Sequence, residues 1–399
     1  MKAKEYIVIG VANTTADCCA AEALPLLYTC AAFSGGDRHY QLVKHLLPEA
    51  HTWIPIKGGM SALFEKYAAT EGAIAVFASG DPLFYGMVQT ILKYDPAADI
   101  KVYPQFNSIQ RLCTRVGQPY ESVKHTSVHG RGWQELDAAL IQGEPLIAVL
   151  TDATRSPRAI AQRMLDYGFT HYEMLVGEDL DGIQEHISRG ELTEMSIRYF
   201  HPLNCALLRQ VVAPEQPGIG IADHLFEGLP GRPNMITKKA VRLYSLSQLD
   251  LHRAQVCWDI GFCTGAVAIE ARRLYPHLQV VGFEKRPECA GIIERNMRHL
   301  SAPGIEYLSG DFFEQNLAAL PAPDAVFIGG HGNRLPELMQ LTDTYMRPRG
   351  RIVMNAVLES SITQFCDTAA SLGWELLTPE VLQVGQHNPI TVLTAIKTS

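Results

Sequence analysis

The stretch VCWDIGFCTGAVAIEAR, residues 256–272, reads as an apolar strand, a turn carrying glycine at 261 and 265, and a helix. A strand that feeds a helix through so tight a turn needs a parallel neighbour reached by a crossover, which commits this part of the chain to layered α/β architecture. In open parallel sheets the ligand sits beyond the carboxyl ends of the strands, where the first turn meets a helix N-terminus. A dinucleotide turn of the form GxGxxG would require glycine at 261, 263 and 266, whereas this chain has Gly261, Cys263 and Ala266. Cysteine is small enough for a tight turn at negative φ, while a left-handed conformation would cost it about 1–2 kcal/mol.

A chain of 399 residues is long for one core and suits two. The division falls at residues 213–235, APEQPGIGIADHLFEGLPGRPNM, whose four prolines and four glycines favour neither helix nor strand. This gives a first domain over 1–212, a linker over 213–235 and a second domain over 236–399. Ahead of the linker, the apolar runs 6–11, 73–78, 146–150 and 172–176 alternate with helical stretches. Beyond it, runs at 256–260, 279–283, 305–308, 325–328 and 351–355 are separated by helix-length segments, as in a doubly wound sheet. Two last apolar stretches, 374–384 and 390–396, are expected to close that sheet as an antiparallel pair.

Composition narrows the function classes. Charged residues make up 19% of the chain and the net charge is −8, which argues against a nucleic-acid binder working through a basic surface. No apolar run approaches the length of a membrane span. The nine cysteines are scattered without a CxxC pair, so neither a disulfide framework nor a metal site is signalled, and a cytoplasmic setting is expected. Between residues 101 and 163, eight Lys or Arg stand against five acids, a local surplus suited to an anionic ligand.

Further polar groups gather at strand ends. Glu284 closes the second strand of the second domain, where a carboxylate can accept hydrogen bonds from ribose hydroxyls at about 1.5–3 kcal/mol each. Gly310 and Asp311 follow the third strand. In the first domain FASGDPLFYG, residues 77–86, places Gly80 for an unusual φ, Asp81 to cap a helix begun by Pro82, and Phe84 and Tyr85 as a flat apolar surface. SVHGRG (127–132), LTDATRSP (150–157) and HPLNCALL (201–208) concentrate polar groups in the same way.

The turn at 259–265 is similar to the D-x-G-x-G-x-G pattern of S-adenosylmethionine-dependent methyltransferases, matched at Asp259, Gly261 and Gly265 with Cys263 at the remaining place. The whole chain resembles a larger assembly. GGDRH (35–39), SGDPLFYG, NSIQRLCTRVG (107–117), SVHGR, LTDATRSP and LNCALL stand in the order of the tetrapyrrole methylases. MITKKAVRLYSLSQL (235–249), WDIGFCTGAVAIEA, PDAVFIGG (323–330) and GRIVMNAVLE (350–359) are similar to a C15-methylating, decarboxylating partner. Together they resemble the precorrin-6Y C5,15-methyltransferase (decarboxylating) family of cobalamin biosynthesis, including its cobalt-precorrin counterparts.

That resemblance implies an N-terminal tetrapyrrole methylase-like α/β domain, a C-terminal Rossmann-like seven-stranded class I methyltransferase domain, and a homo-oligomer. It implies S-adenosyl-L-methionine as cofactor, no metal, and a tetrapyrrole methylated at carbons 5 and 15 with loss of carbon dioxide from an acetate side chain. The first donor site would use Ser79, Gly80, Asp81, Phe84, Asn107 and Ser108. The second would use Thr237, Asp259, Gly261, Phe262, Cys263, Thr264, Gly265, Glu284, Asp311 and Phe312. Arg38, Arg131 and Arg155 are candidates for gripping substrate carboxylates, and His331 for removing the proton from the methylated centre. Two alternatives stand beside this reading. An NAD-dependent oxidoreductase would also use Glu284. A first domain that only binds and delivers tetrapyrrole would suit the run Ile9, Gly10, Val11, Ala12, Asn13, Thr14, which has one glycine where tetrapyrrole methylases have a glycine- and proline-rich loop.

Overall fold

The computed structural model describes residues 3–213, 218–232, 235–386 and 388–398. Contacts divide the chain into two compact units: Met1–Arg131, Pro145–Gln162 and Tyr172–Val211, and Gly132–Glu144, Arg163–His171 and Val212–Ser399. The second unit thus includes two segments from the sequence expected to form the first domain. They are joined by Arg163, whose guanidinium sits 2.7 Å from the buried Asp137 carboxylate.

In the first unit, β1 (Glu5–Val11), β2 (Cys30–Gly35), β3 (Trp53–Pro55), β4 (Ala73–Ser79) and β5 (Asp99–Tyr103) form an all-parallel sheet in the order β3-β2-β4-β1-β5. Its central strands are buried along nearly their whole length, as expected where helices cover both faces. A second, mixed sheet joins β6 (Lys124–Ser127), β7 (Leu146–Leu150), β8 (Tyr172–Glu178), β9 (His186–Glu191) and β10 (Asn204–Gln210) in the order β6-β7-β10-β8-β9.

The second unit is built on β11 (Val256–Ile260), β12 (Gln279–Glu284), β13 (Ile305–Ser309), β14 (Ala325–Ile328), β15 (Arg351–Ala356), β16 (Glu375–Leu376), β17 (Glu380–Leu382) and β18 (Ile390–Ile396). The order is β13-β12-β11-β14-β15-β18-β16, with β17 also pairing β18. The sheet has eight strands rather than the seven expected. The stretch 374–384 does not run as one strand: Pro379, which has no N–H to donate, lies between β16 and β17, and both short pieces pair with β18. Strands β11 to β15 are parallel, and β18 runs antiparallel to β15. Because the order reverses between β11 and β14, the crevice for a ligand opens at their carboxyl ends.

The stretch expected as a linker is partly bound into the second unit, with residues 214–217 and 233–234 outside the described ones. Ile221, Phe226 and Leu229 are buried in its core. The N–H groups of Gly220 and Ile221 donate to Glu270, and Glu270 pairs at 3.1 Å with a fully buried Arg242. A buried charge pair is tolerated only when its remaining hydrogen-bonding capacity is met. Here Arg242 also donates to the carbonyls of Thr237 and Ile221.

Candidate functional site

The crevice of the second unit begins with a backbone contact. A Cβ on Gly261 would lie 2.6 Å from the Gly330 nitrogen, and one on Gly329 would lie 2.8 Å from the Gly261 oxygen. Both the turn after β11 and the double glycine after β14 are therefore needed for the two strand ends to close together. Gly261, Cys263 and Gly265 have φ of 80°, 52° and 77°. Of the two conformations open to it, Cys263 thus takes the costlier left-handed one, as a glycine would. This aims its N–H at Glu284 Oε2, 3.1 Å away, while its thiol donates to the Met235 carbonyl. Burial raises the pKa of that thiol, so it stays protonated.

A cleft of about 320 Å³ lies over this turn, and Gly261, Glu284, Asp311, Phe312 and His331 are among its lining residues. Glu284 is buried, yet its carboxyl stays below the usual carboxylate range: burial opposes ionisation, and hydrogen bonds from Arg286 and from the Cys263 N–H outweigh it. Four N–H groups reach it, from Cys263, from the Arg286 backbone and from Arg286 Nε and a terminal guanidinium nitrogen, at 2.8–3.1 Å. They fill the roughly four acceptor positions of a carboxylate. Arg286, which sequence reading did not single out, is therefore part of this site. The neighbourhood is cationic overall, with Arg232, Lys285 and Arg334 also lining the cleft.

Asp311 accepts the Phe313 N–H, and Phe312 packs its ring on Phe283. His331 lines the cleft with Nδ1 buried and without a hydrogen-bond partner, and burial lowers its pKa, leaving a neutral imidazole. Four residues expected to contact the donor lie elsewhere. Asp259 is 1% exposed and accepts the Ala268 N–H at 3.1 Å, so it braces the helix behind the turn; burial first, then the nearby Glu284, push its pKa up to about 7. Phe262 and Thr264 are likewise buried in the core rather than lining the cleft. Thr237 lies outside the cleft lining, its carbonyl taken by Arg242.

At the carboxyl edge of the first sheet the same kind of contact recurs. A Cβ on Gly10 would lie 2.0 Å from the Gly80 oxygen, and one on Gly80, at φ 60°, would lie 2.8 Å from Asn107 Cα. Asn107 caps the helix Ser108–Val116 reciprocally with Gln110. The expected helix at Pro82 is absent: the helix begins at Met87, and Asp81 instead accepts the Leu83 N–H in a local turn. A Cβ on Gly86 would lie 2.4 Å from the Pro82 oxygen, so the loop is folded tightly back on itself. The Phe84 ring meets Tyr85 and His125 edge-on, and the Arg131 guanidinium lies 5.1 Å from the Tyr85 ring centroid. The flat apolar surface expected there is thus partly engaged within the protein.

Arg38 donates to Asn13 Oδ1 at 2.9 Å and to Ser79 Oγ at 2.7 Å, so it joins the end of β4. Arg155 is drawn instead to Asp152 at 3.5 Å. Asn13 and His39 complete the Arg38 cluster and were not among the expected site residues; only the GGDRH motif hinted at His39.

Comparison with known proteins finds two families along the chain. The family described as Tetrapyrrole (Corrin/Porphyrin) Methylases matches residues 8–196, and that described as Precorrin methyltransferase domain matches residues 231–398. A precorrin-6Y C(5,15)-methyltransferase [decarboxylating] from Sinorhizobium sp is 31% identical over 96% of this chain and 92% of its own length. A cobalt-precorrin-6B C(15)-methyltransferase (decarboxylating) from Salmonella typhimurium is 33% identical over 42% of this chain and 85% of its own length. A cobalt-precorrin-7 C(5)-methyltransferase from the same organism is 31% identical over 39% and 75%. Fold, crevices and matches define a two-domain methyltransferase, a tetrapyrrole methylase domain ahead of a precorrin methyltransferase domain. More narrowly, the chain belongs to the precorrin-6Y C5,15-methyltransferase (decarboxylating) family. The oxidoreductase alternative finds no support in these matches.

Proposed function

We propose that this chain methylates a precorrin or cobalt-precorrin at carbons 5 and 15, using S-adenosyl-L-methionine, and removes carbon dioxide from an acetate side chain. The first domain, over 1–212, is assigned the C5 transfer, and the second, over 236–399, the C15 transfer and decarboxylation. The observation that supports this reading most is the crevice between β11 and β14, where left-handed residues 261, 263 and 265 lie beneath a cleft bordered by Glu284 and His331.

A nucleotide suits that crevice, because the Gly261–Gly330 approach keeps side chains off its floor and Glu284 offers an ionised carboxylate at the strand end. Ribose hydroxyls would reach that carboxylate by replacing hydrogen bonds from Arg286. When bound, S-adenosyl-L-methionine supplies a methyl group on a sulfonium, open to in-line displacement by an electron-rich ring carbon. The protein's main contribution is then to hold that carbon within a few ångströms of the methyl. Neutral His331, which lines the cleft, takes the proton released from the methylated centre. Electrons freed by decarboxylation pass into the conjugated macrocycle, so no separate electron sink is required.

We infer a cytoplasmic homo-oligomer with the tetrapyrrole as its small-molecule partner; analytical ultracentrifugation tests the association. Mass spectrometry of product made from a precorrin mixture tests the function, with two methyl groups gained and one carbon dioxide lost as the expected result. Tighter equilibrium binding of NAD than of S-adenosylhomocysteine would overturn it. A product with one methyl gained, at carbon 15, would instead leave the first domain as a tetrapyrrole carrier.

A further inference from the structure

Four side chains from distant parts of the sequence converge at the carboxyl edge of the first sheet: Asn13 after β1, Arg38 and His39 after β2, and Ser79 at the end of β4. Their hydrogen bonds can be resolved proton by proton. His39 Nδ1 lies 3.3 Å from the Gly36 N–H and accepts it, so in the neutral ring the proton is on Nε2. The ring is neutral because burial, and then the adjacent Arg38, push its pKa down to about 4. Nε2–H therefore donates to Ser79 Oγ, 3.0 Å away, and an Arg38 guanidinium nitrogen donates to the same oxygen at 2.7 Å.

A hydroxyl oxygen has two lone pairs and one hydrogen. With both lone pairs engaged by N–H donors, Ser79 can act only as a donor toward anything further. It makes no other hydrogen bond among the described residues, and it is exposed.

The charge on Arg38 is also resolved. Its hydrogen-bond partners among the described residues, Asn13 Oδ1 and Ser79 Oγ, are neutral. The nearest compensation runs through the Asn13 amide, whose Nδ2 donates to the buried Asp179 at 2.7 Å. Asn13 is thereby fixed with its oxygen toward Arg38; among the described residues no carboxylate hydrogen-bonds the guanidinium, and Asp179 acts on it through space. A guanidinium whose hydrogen-bond partners are neutral, beside an outward hydroxyl hydrogen, is complementary to a carboxylate, which accepts from both.

We infer that Arg38 and Ser79 form a carboxylate-binding site in the first unit, with Asn13 and His39 as the residues that position them. The inference rests on the reading that this unit handles both a tetrapyrrole and a methyl donor, each of which carries carboxylate. It separates Ser79 from a purely nucleotide-binding role and gives His39 a function through its tautomer.

The test compares S79A, H39A and H39Q with the unaltered full chain. Steady-state kinetics of methyl incorporation at carbon 5 is measured, together with equilibrium binding of S-adenosylhomocysteine and of its analogue lacking the amino-acid carboxylate. If the site grips the tetrapyrrole, S79A and H39A raise the KM for tetrapyrrole roughly tenfold, with kcat and S-adenosylhomocysteine binding little changed. If it grips the donor, the same variants weaken S-adenosylhomocysteine roughly tenfold and leave the decarboxylated analogue unaffected. In both cases H39Q, which can accept at one atom and donate at another, recovers most of the loss. The inference is overturned if S79A moves none of these quantities, if the variants weaken both nucleotides equally, or if H39Q behaves as H39A. Urea unfolding of the same samples reports that the first unit of each variant is folded. Absence of any carbon 5 methylation by the unaltered chain would count against the proposed function itself, which keeps the two failures apart.

Discussion

The two crevices meet one backbone requirement with different chemistry. Each opens where two adjacent parallel strands end, β1 beside β4 and β11 beside β14, and in each a glycine lets one strand end touch the other. The second then continues through backbone, with residues 261, 263 and 265 left-handed in one turn and the Cys263 N–H donated to Glu284. The first continues through side chains, with Asn13, Arg38, His39 and Ser79 tied into one network and Gly10 providing the close approach. A missing glycine-rich loop is therefore no measure of a missing site. What has to be preserved is the closeness of the strand ends, and one glycine is enough for that where side chains complete the edge.

The comparison can be broken most severely at the glycines. A methyl at Gly10 would strike backbone at 2.0 Å and 2.6 Å, and one at Gly261 would strike backbone at 2.6 Å while also holding alanine at positive φ. Each alanine variant should lose about 3 kcal/mol, read by urea unfolding, and each should abolish methyl transfer at its own carbon first. Next in size, H331A should lower the rate at carbon 15 roughly 100-fold with little change in donor affinity, measured by single-turnover kinetics. The effect should be confined to the second crevice.

E284A should weaken S-adenosylhomocysteine binding in the second unit by about 10- to 100-fold in calorimetry. Because the Glu284 carboxyl is held below its ordinary range, binding should persist at mildly acidic pH and fail only as pH falls through that lowered value. The first crevice responds to acid in the same direction but starts to respond at higher pH. His39 is held neutral, with a folded pKa of about 4 against about 6.5 in an unfolded chain. The unfolded state binds the proton first, so stability is full above about pH 6.5, falls between there and about pH 4, and levels off below. H39Q should flatten that part of the urea midpoint against pH. Smallest of all, C263G should leave donor binding within about twofold and shift stability by no more than about 1 kcal/mol, since relief of left-handed strain offsets loss of the buried thiol.

Most strands were legible because the cores on both sides of a parallel sheet demand continuous apolar runs: β11 and β14 fall at the expected residues, and β12, β13 and β15 extend by one. The glycine turn and Glu284 were legible because strand–turn–helix spacing carries their geometry. Cys263 was not, since propensity opposes positive φ and only the tertiary pull of Glu284 and Met235 reveals it. Asp81 misled because an Asp-Pro pair can start a helix or close a local turn, and the tight return of the chain at Gly86 selects the turn. The Arg38–Ser79 bond spans 41 residues, a separation at which no local pattern operates. Arg286, two residues from Glu284, was not singled out, because nothing in its local pattern distinguishes a carboxylate-bound arginine from an exposed one.

The buried Arg242–Glu270 pair bears on where the polypeptide can be cut. Glu270 is completed by N–H groups at 220 and 221, and Ile221, Phe226 and Leu229 seal the same core. A fragment starting at residue 236 would keep the charges but lose these caps, opening an oily face around an under-solvated carboxylate. Any autonomous version of the C-terminal half must therefore begin upstream of Gly220, inside what composition alone marks as connector.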